Sequence, residues 1–192
     1  MRLDFPDFRL GTVLATSFTG TLSERHGDAV ERIPTPRRLV DWMAVYGLTV
    51  DSCTTAQLEL ARQLRESIHA VATAAALQAP LPAAAVHVIN DCSTRGRAAA
   101  ILTPQGTREW QLVSTDRVAD ALSVIAADAI DIIAGERDGK LALCASPTCQ
   151  AAFFDTSRSR TRRWCDMNTC GNRQKKARFN ANRSRDLAQR SS

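Results

Sequence analysis

A chain of 192 residues, 44% hydrophobic and with a net charge of +5, is long enough for one good core, or for one ordinary domain with a small appendage. Its apolar residues are scattered, and no stretch approaches the ~20 consecutive ones that a membrane span needs, so no membrane partner is expected. The opening residues, MRLDFPDFRLGTVL, carry acids near the start and no long apolar run, so they do not read as a secretory signal and a cytoplasmic protein is expected.

In chain order, residues 10–18 read as a short strand or helix followed by loop. Thr35 before Pro36 has the form of an N-cap with proline at the first helical position, and Leu39, Val40, Met43 and Tyr46 mark a short helix closed by Gly47. A longer helix follows. Thr54 and Gln57 have capping-box spacing, Leu60, Leu64, Ile68, Val71 and Ala75 share a face, and Pro80 ends it. After Pro82 a shorter helix turns Val86 and Ile89 inward, although AAAVHVIN also fits a strand. Two apolar runs around Pro104, Gln105 and Gly106 predict a hairpin, and Ser114 or Thr115 is placed to cap a helix over Val118, Leu122, Ile125, Ala129 and Ile132 or Ile133 that stops at Gly135.

These elements predict a mostly helical domain with a small β-hairpin over residues 1–138, joined through ERDGK (136–140) to a small C-terminal module over 139–182. Residues 183–192 read as a disordered basic tail, and the fold class is α+β.

The module holds Cys144, Cys149, Cys165 and Cys170: Cys-x4-Cys, fifteen residues, Cys-x4-Cys. In a reducing compartment clustered thiols are metal ligands or redox groups more readily than disulfides. Two disulfides, four inert thiols and an iron–sulfur cluster are the alternatives, and the repeated spacing favours zinc. Four thiolates fill a tetrahedral site and leave no position for water, so one structural Zn2+ is expected, and a chelator should unfold this end while sparing the rest. Cys53 and Cys92 stand apart and read as inert thiols.

Charge is divided unevenly. From Thr156 to Ser192 eleven bases face two acids, +9, whereas the preceding 155 residues carry fourteen bases and eighteen acids, −4. Arg158, Arg160, Arg162 and Arg163 lie between the cysteine pairs, and Arg173, Lys175, Lys176 and Arg178 follow the last pair on a predicted helix. A zinc site with four thiolates has a formal charge of −2, which Arg162 and Arg163 are placed to offset. The remaining cations suit phosphates of a nucleic acid, or form a solvated basic face.

The stretch CASPTCQAAFFDTSRSRTRRWCDMNTCGNR closely resembles the CGNR zinc finger, through both cysteine pairs, the aromatic-Asp-Thr-Ser segment, the Arg-Arg-Trp-Cys lead-in and the tetrapeptide Cys170-Gly171-Asn172-Arg173. The first 135 or so residues resemble the ABATE domain that accompanies it, with LATSFTGTL as the opening motif and Gly20 where that family usually has Asn. The resemblance implies a stress-linked, DNA-binding transcription regulator whose N-terminal domain senses a ligand. It also implies that Asn172 and Arg173 begin a helix facing nucleic acid, Arg suiting guanine and Asn adenine. Asn172 serves equally well as a hydrogen-bond donor within the knuckle. Trp164 with Phe153 or Phe154 reads as the packing of a small core.

Duplex DNA is thus the expected partner, with a small-molecule effector and a homodimer left open for the helical domain. RNA is the alternative, favoured by any solvent-exposed aromatic beside the arginines; a protein adaptor is a third reading. His26, His69 and His87 belong to no catalytic signature, and no phosphate-cradling glycine loop or nucleophile elbow occurs, so no enzyme is expected.

Overall fold

The computed structural model describes residues 6–11 and 13–190, with the side chains of 184–190 excepted. The protein is α+β, and its core is a helical layer built on three helices.

Helix α3 (Thr55–Ala76) is the axis of this layer. Its capping box forms as the spacing predicts: the Gln57 amide N–H donates to Thr54 Oγ1 (3.2 Å) and the Thr54 N–H to Gln57 Oε1 (2.8 Å). The buried face runs through Leu58, Leu64, Ile68 and Val71, with Leu60 only half-buried beside it.

Helix α5 (Arg117–Ala134) is capped by Asp116 and not by Ser114 or Thr115. The Asp116 carboxylate accepts from the Ala119 N–H and from the Gln57 amide, both at 2.9 Å, so one side chain ties together the starts of α3 and α5. Ser114 has another task. Its N–H and hydroxyl both donate to the buried Asp120 carboxylate at 2.7 Å, as does the Arg97 N–H at 2.6 Å. Gly135, at φ 81°, closes the helix in the left-handed conformation that favours glycine.

Between them, AAAVHVIN is helical, as part of α4 (Ala83–Arg95), which buries Ile89 and Cys92. The expected hairpin follows as β1 (Ala98–Leu102) paired antiparallel with β2 (Arg108–Leu112), Ala100 facing Trp110.

Earlier in the chain, α1 (Leu14–Thr19) resolves the strand-or-helix ambiguity in favour of helix. In α2 (Pro36–Val45), Thr35 caps through its hydroxyl and Trp42 is fully buried, its ring 5.0 Å from that of Phe18. The segment read as loop contains a small antiparallel ribbon, Leu22–Ser23 against Val30–Glu31. Arg65, buried on α3, fixes this ribbon by donating to Glu31 at 2.8 Å. Its turn, Glu24 to Ala29, is thereby aimed at the C-terminal module.

That module begins with β3 (Lys140–Leu143) paired antiparallel with β4 (Ala152–Asp155), Leu141 opposite Phe154 and Ala142 opposite Phe153. Successive strand residues face opposite sides. Leu141 and Phe154 consequently enter the helical core, while Phe153 joins the cysteine cluster. Gly139 makes room: a Cβ there would lie 2.3 Å from the Phe154 ring. The chain then runs through a connector and a π-helical turn, Met167–Gly171, into α6 (Asn172–Arg190). Its backbone is helical to Arg190, where a disordered tail was expected from 183; Ala, Arg, Leu and Gln in this stretch are good helix formers.

Candidate metal centre

Two turns bring the four thiols together. In the first, the Cys149 and Gln150 N–H groups both donate to the Ser146 carbonyl at 3.1 Å, and Gln150 adopts φ 44° to return the chain to β4. Closing the loop, the Cys144 N–H donates to the Ala151 carbonyl at 2.9 Å. Asp166 organises the second turn. Its carboxylate accepts from the Asn168 N–H (2.8 Å) and Thr169 hydroxyl (3.1 Å), and its carbonyl from the Gly171 N–H (3.1 Å). Gly171 lies beneath Met167 and Trp164; a Cβ would sit 2.9 Å from the Met167 sulfur.

Asp155 pins the connector between these turns. It is almost fully buried at the end of β4, where it accepts the N–H groups of Ser157 and Arg162, each at 2.9 Å. Burial pushes its carboxyl up, but these bonds outweigh burial and hold it below the usual carboxylate range.

The four sulfurs all lie within 4.8 Å of one another. A tetrahedron with zinc–sulfur bonds of ~2.3 Å has edges of about 3.8 Å. Cys149 to Cys165 and Cys165 to Cys170 are each separated by 3.7 Å at sulfur, so the cluster has the size of a zinc tetrahedron. Cys144, Cys149 and Cys170 are buried and Cys165 half-buried. With protons alone to share, hydrogen bonds from Cys149 and Cys165 push Cys144 down, while their bonds with Cys144 push Cys149 and Cys165 up. A divalent cation lets all four be thiolates. Its contribution when bound is structural, since no ligand position remains for water. Cys53 and Cys92 lie elsewhere, and burial raises both thiols, as suits inert cysteines.

The cations divide into two sets. Arg162 belongs to the knuckle: its guanidinium donates to the Cys165 carbonyl at 2.9 Å and stands 5.4 Å from the Phe153 ring centre. Arg160 pairs with Asp138. Arg173 pairs with Glu24, donates to the Thr148 hydroxyl at 3.1 Å, and is further favoured in its charged form by the nearby Cys170 and Cys149. Asn172, exposed at the start of α6, donates to the Asn168 carbonyl at 3.3 Å. In contrast, Arg158, Arg163, Lys175, Lys176 and Arg178 are exposed and meet no carboxylate among the described residues. Arg163 lies over the Trp164 ring, 5.3 Å from its centre.

Glu24, which no local sequence pattern singles out, joins the two halves of the chain. It is buried in the ribbon turn at φ 53° and accepts from Arg173, from the Thr148 hydroxyl at 2.8 Å and from Arg9 at 3.4 Å. Burial pushes its carboxyl up; the Arg173 and Thr148 hydrogen bonds and the charges of Arg173 and Arg9 bring it below the usual range. A backbone bond from the His26 N–H to the Thr148 carbonyl, 3.1 Å, runs alongside.

The three histidines sit in different surroundings. His87 is exposed on α4, His26 is exposed in the ribbon turn, and His69 lies on α3, pushed down to about 4 by burial and by the charge of Arg25. No helix among the described residues is long and apolar enough to cross a membrane.

Residues 12–136 match the model of the ABATE family, described as a putative stress-induced transcription regulator, and residues 140–183 match the CGNR zinc finger. Neither is an enzyme family. No curated protein matches the chain. The first match spans well over half of the 192 residues and the second contains all four clustered cysteines. The chain therefore belongs to the ABATE family and carries a CGNR zinc finger in which Cys144, Cys149, Cys165 and Cys170 hold one structural zinc ion.

Proposed function

We propose that this protein is a cytoplasmic transcription regulator that binds duplex DNA through the zinc module and α6. The observation carrying this reading is the contrast between the two sets of cations. Arg160, Arg162 and Arg173 are committed within the protein, whereas Arg158, Arg163, Lys175, Lys176 and Arg178 project from a metal-stiffened scaffold with no carboxylate partner among the described residues. A helix is of the right diameter for the major groove. Arg158 and Arg163 on the connector then reach flanking phosphates, and Asn172 and Arg173 fix the start of the helix.

Five phosphate contacts give a slope of about −4.5 for log affinity against log salt, at ~0.9 per contact. Titration of the zinc-loaded protein into labelled duplex at several salt concentrations measures it. A flat response rejects the duplex as partner.

A small-molecule effector of the helical domain would bind in a cleft of about 930 Å³ lined by Tyr46, Arg97, Arg108, Trp110, Asp128 and Arg137, among others. Arg108 already stacks on Trp110 there, 4.7 Å from the ring centre. An anionic ligand with a flat apolar part suits that lining.

A further inference from the structure

Helix α6 carries a single aromatic residue, Phe179, and that ring is 65% exposed. It does not help to pack the module, whose small core is made by the cysteines with Phe153 and Trp164. At about 100° per residue, Lys175, Lys176, Phe179 and Arg183 fall within an arc of about 100° on the helix. All four are exposed, so the ring sits amid three cations. An exposed ring gains apolar burial when a partner covers it, and cations around it are compatible with its π face. The surrounding charge specifies a polyanion as that cover.

Within the duplex reading above, on which this inference rests, we propose that Phe179 is a specificity-determining residue that contacts the C5-methyl group of a thymine in the major groove. That methyl is the apolar group which base pairs present on the groove floor, and it is absent from cytosine and from either purine edge. Cations on both sides of the ring would hold the helix to the two phosphate walls while the ring faces the floor. Single-stranded nucleic acid is the competing cover, because exposed aromatics stack on bases. An exposed aromatic beside cations is by itself the sign of single-strand binding given above, but such platforms present successive rings along a groove, whereas α6 presents one ring on a convex cylinder, and that shape favours the duplex.

The test uses the full-length zinc-loaded protein. A random duplex pool is selected for tight binders, and the enriched sequence is resynthesised with uracil in place of thymine at each position in turn, removing only the methyl group. Covering one methyl predicts a loss of about fourfold at one position, from the usual hydrophobic gain per carbon. Phe179→Ala should bind the thymine and uracil duplexes equally, with the wild-type salt slope and unchanged helicity by circular dichroism. A variant that keeps the wild-type preference for thymine overturns the proposal. So does a variant whose only change is a shift in oligomeric state by light scattering, which would make the ring a self-association contact. Stronger competition by single-stranded oligonucleotides than by duplex would transfer the ring to base stacking. A wild-type protein that binds no duplex at low salt fails the underlying reading as well, and is distinguished from the other outcomes by its lack of any salt-dependent signal.

Discussion

The Glu24 carboxylate and the Arg173 guanidinium meet across 149 positions of sequence, at the seam between the ribbon turn of the ABATE region and the first turn of α6. Thr148, from the first cysteine turn, bonds to both. Three segments that share no local structure thus converge on one charge pair, which orients α6 relative to the helical layer.

Replacing Glu24 by Gln should reduce stability at neutral pH by about 1–2 kcal/mol. This is less than for a fully buried pair because Arg173 remains 45% exposed at its side chain. The carboxyl of Glu24 is lower in the folded protein than in the unfolded chain. Its contribution is therefore complete above the ordinary carboxylate pKa and disappears as pH falls through the depressed folded value. Urea melts of wild type and Glu24→Gln should differ at neutral pH and converge in acid; a constant gap would contradict the pairing.

Phe153 and Phe154 are sequence neighbours with separate destinations, so their truncations should separate as well. Phe154→Ala leaves a cavity in the helical core and should cost about 3–5 kcal/mol by thermal or urea melting. Phe153→Ala opens the sulfur cluster and should speed zinc release to a chromogenic chelator, with the smaller effect on the helical melt.

Metal analysis should give one zinc per chain. Stripping the ion should do more than unfold the module alone, since Leu141 and Phe154 on the same hairpin belong to the helical core. Chelation is expected to lower the melting temperature of the helical transition too, and Cys165→Ser to reproduce that shift. Independent melting of the helical layer at its holo temperature would show the two regions to be uncoupled.

Arg162 and Lys176 should fail differently. Arg162→Ala loses the bond to the Cys165 carbonyl and should weaken zinc retention. Lys176→Ala should leave zinc retention unchanged and reduce the salt slope of duplex binding by about 0.9. Paired chelator and salt titrations on both variants make the comparison.

The metal ligands were legible because both cysteine pairs are local, each spanning a turn whose spacing alone sets two sulfurs side by side. The α3 capping box was legible for the same reason: its reciprocal bonds need three residues of separation and no tertiary context. At α5 the same rule named the wrong cap, because Ser114, Thr115 and Asp116 are all competent and the choice was made by Asp120, which draws Ser114 toward the β1–β2 hairpin. Glu24 and Asp155 were out of reach for a related reason. A carboxylate that accepts bonds from distant residues looks, in sequence, like any surface acid. Composition announced the cations of the C-terminal region but not their division, since a free guanidinium and one committed to a carbonyl are written with the same letter.

Strand β4 has a practical consequence for anyone cutting this protein into pieces. A fragment ending at residue 136, where the ABATE match stops, would lack Leu141, Ala152 and Phe154, and would expose the wall they cover. Such a truncation should be prone to aggregate, and a soluble helical half would need to extend through Asp155, carrying two of the four sulfurs with it.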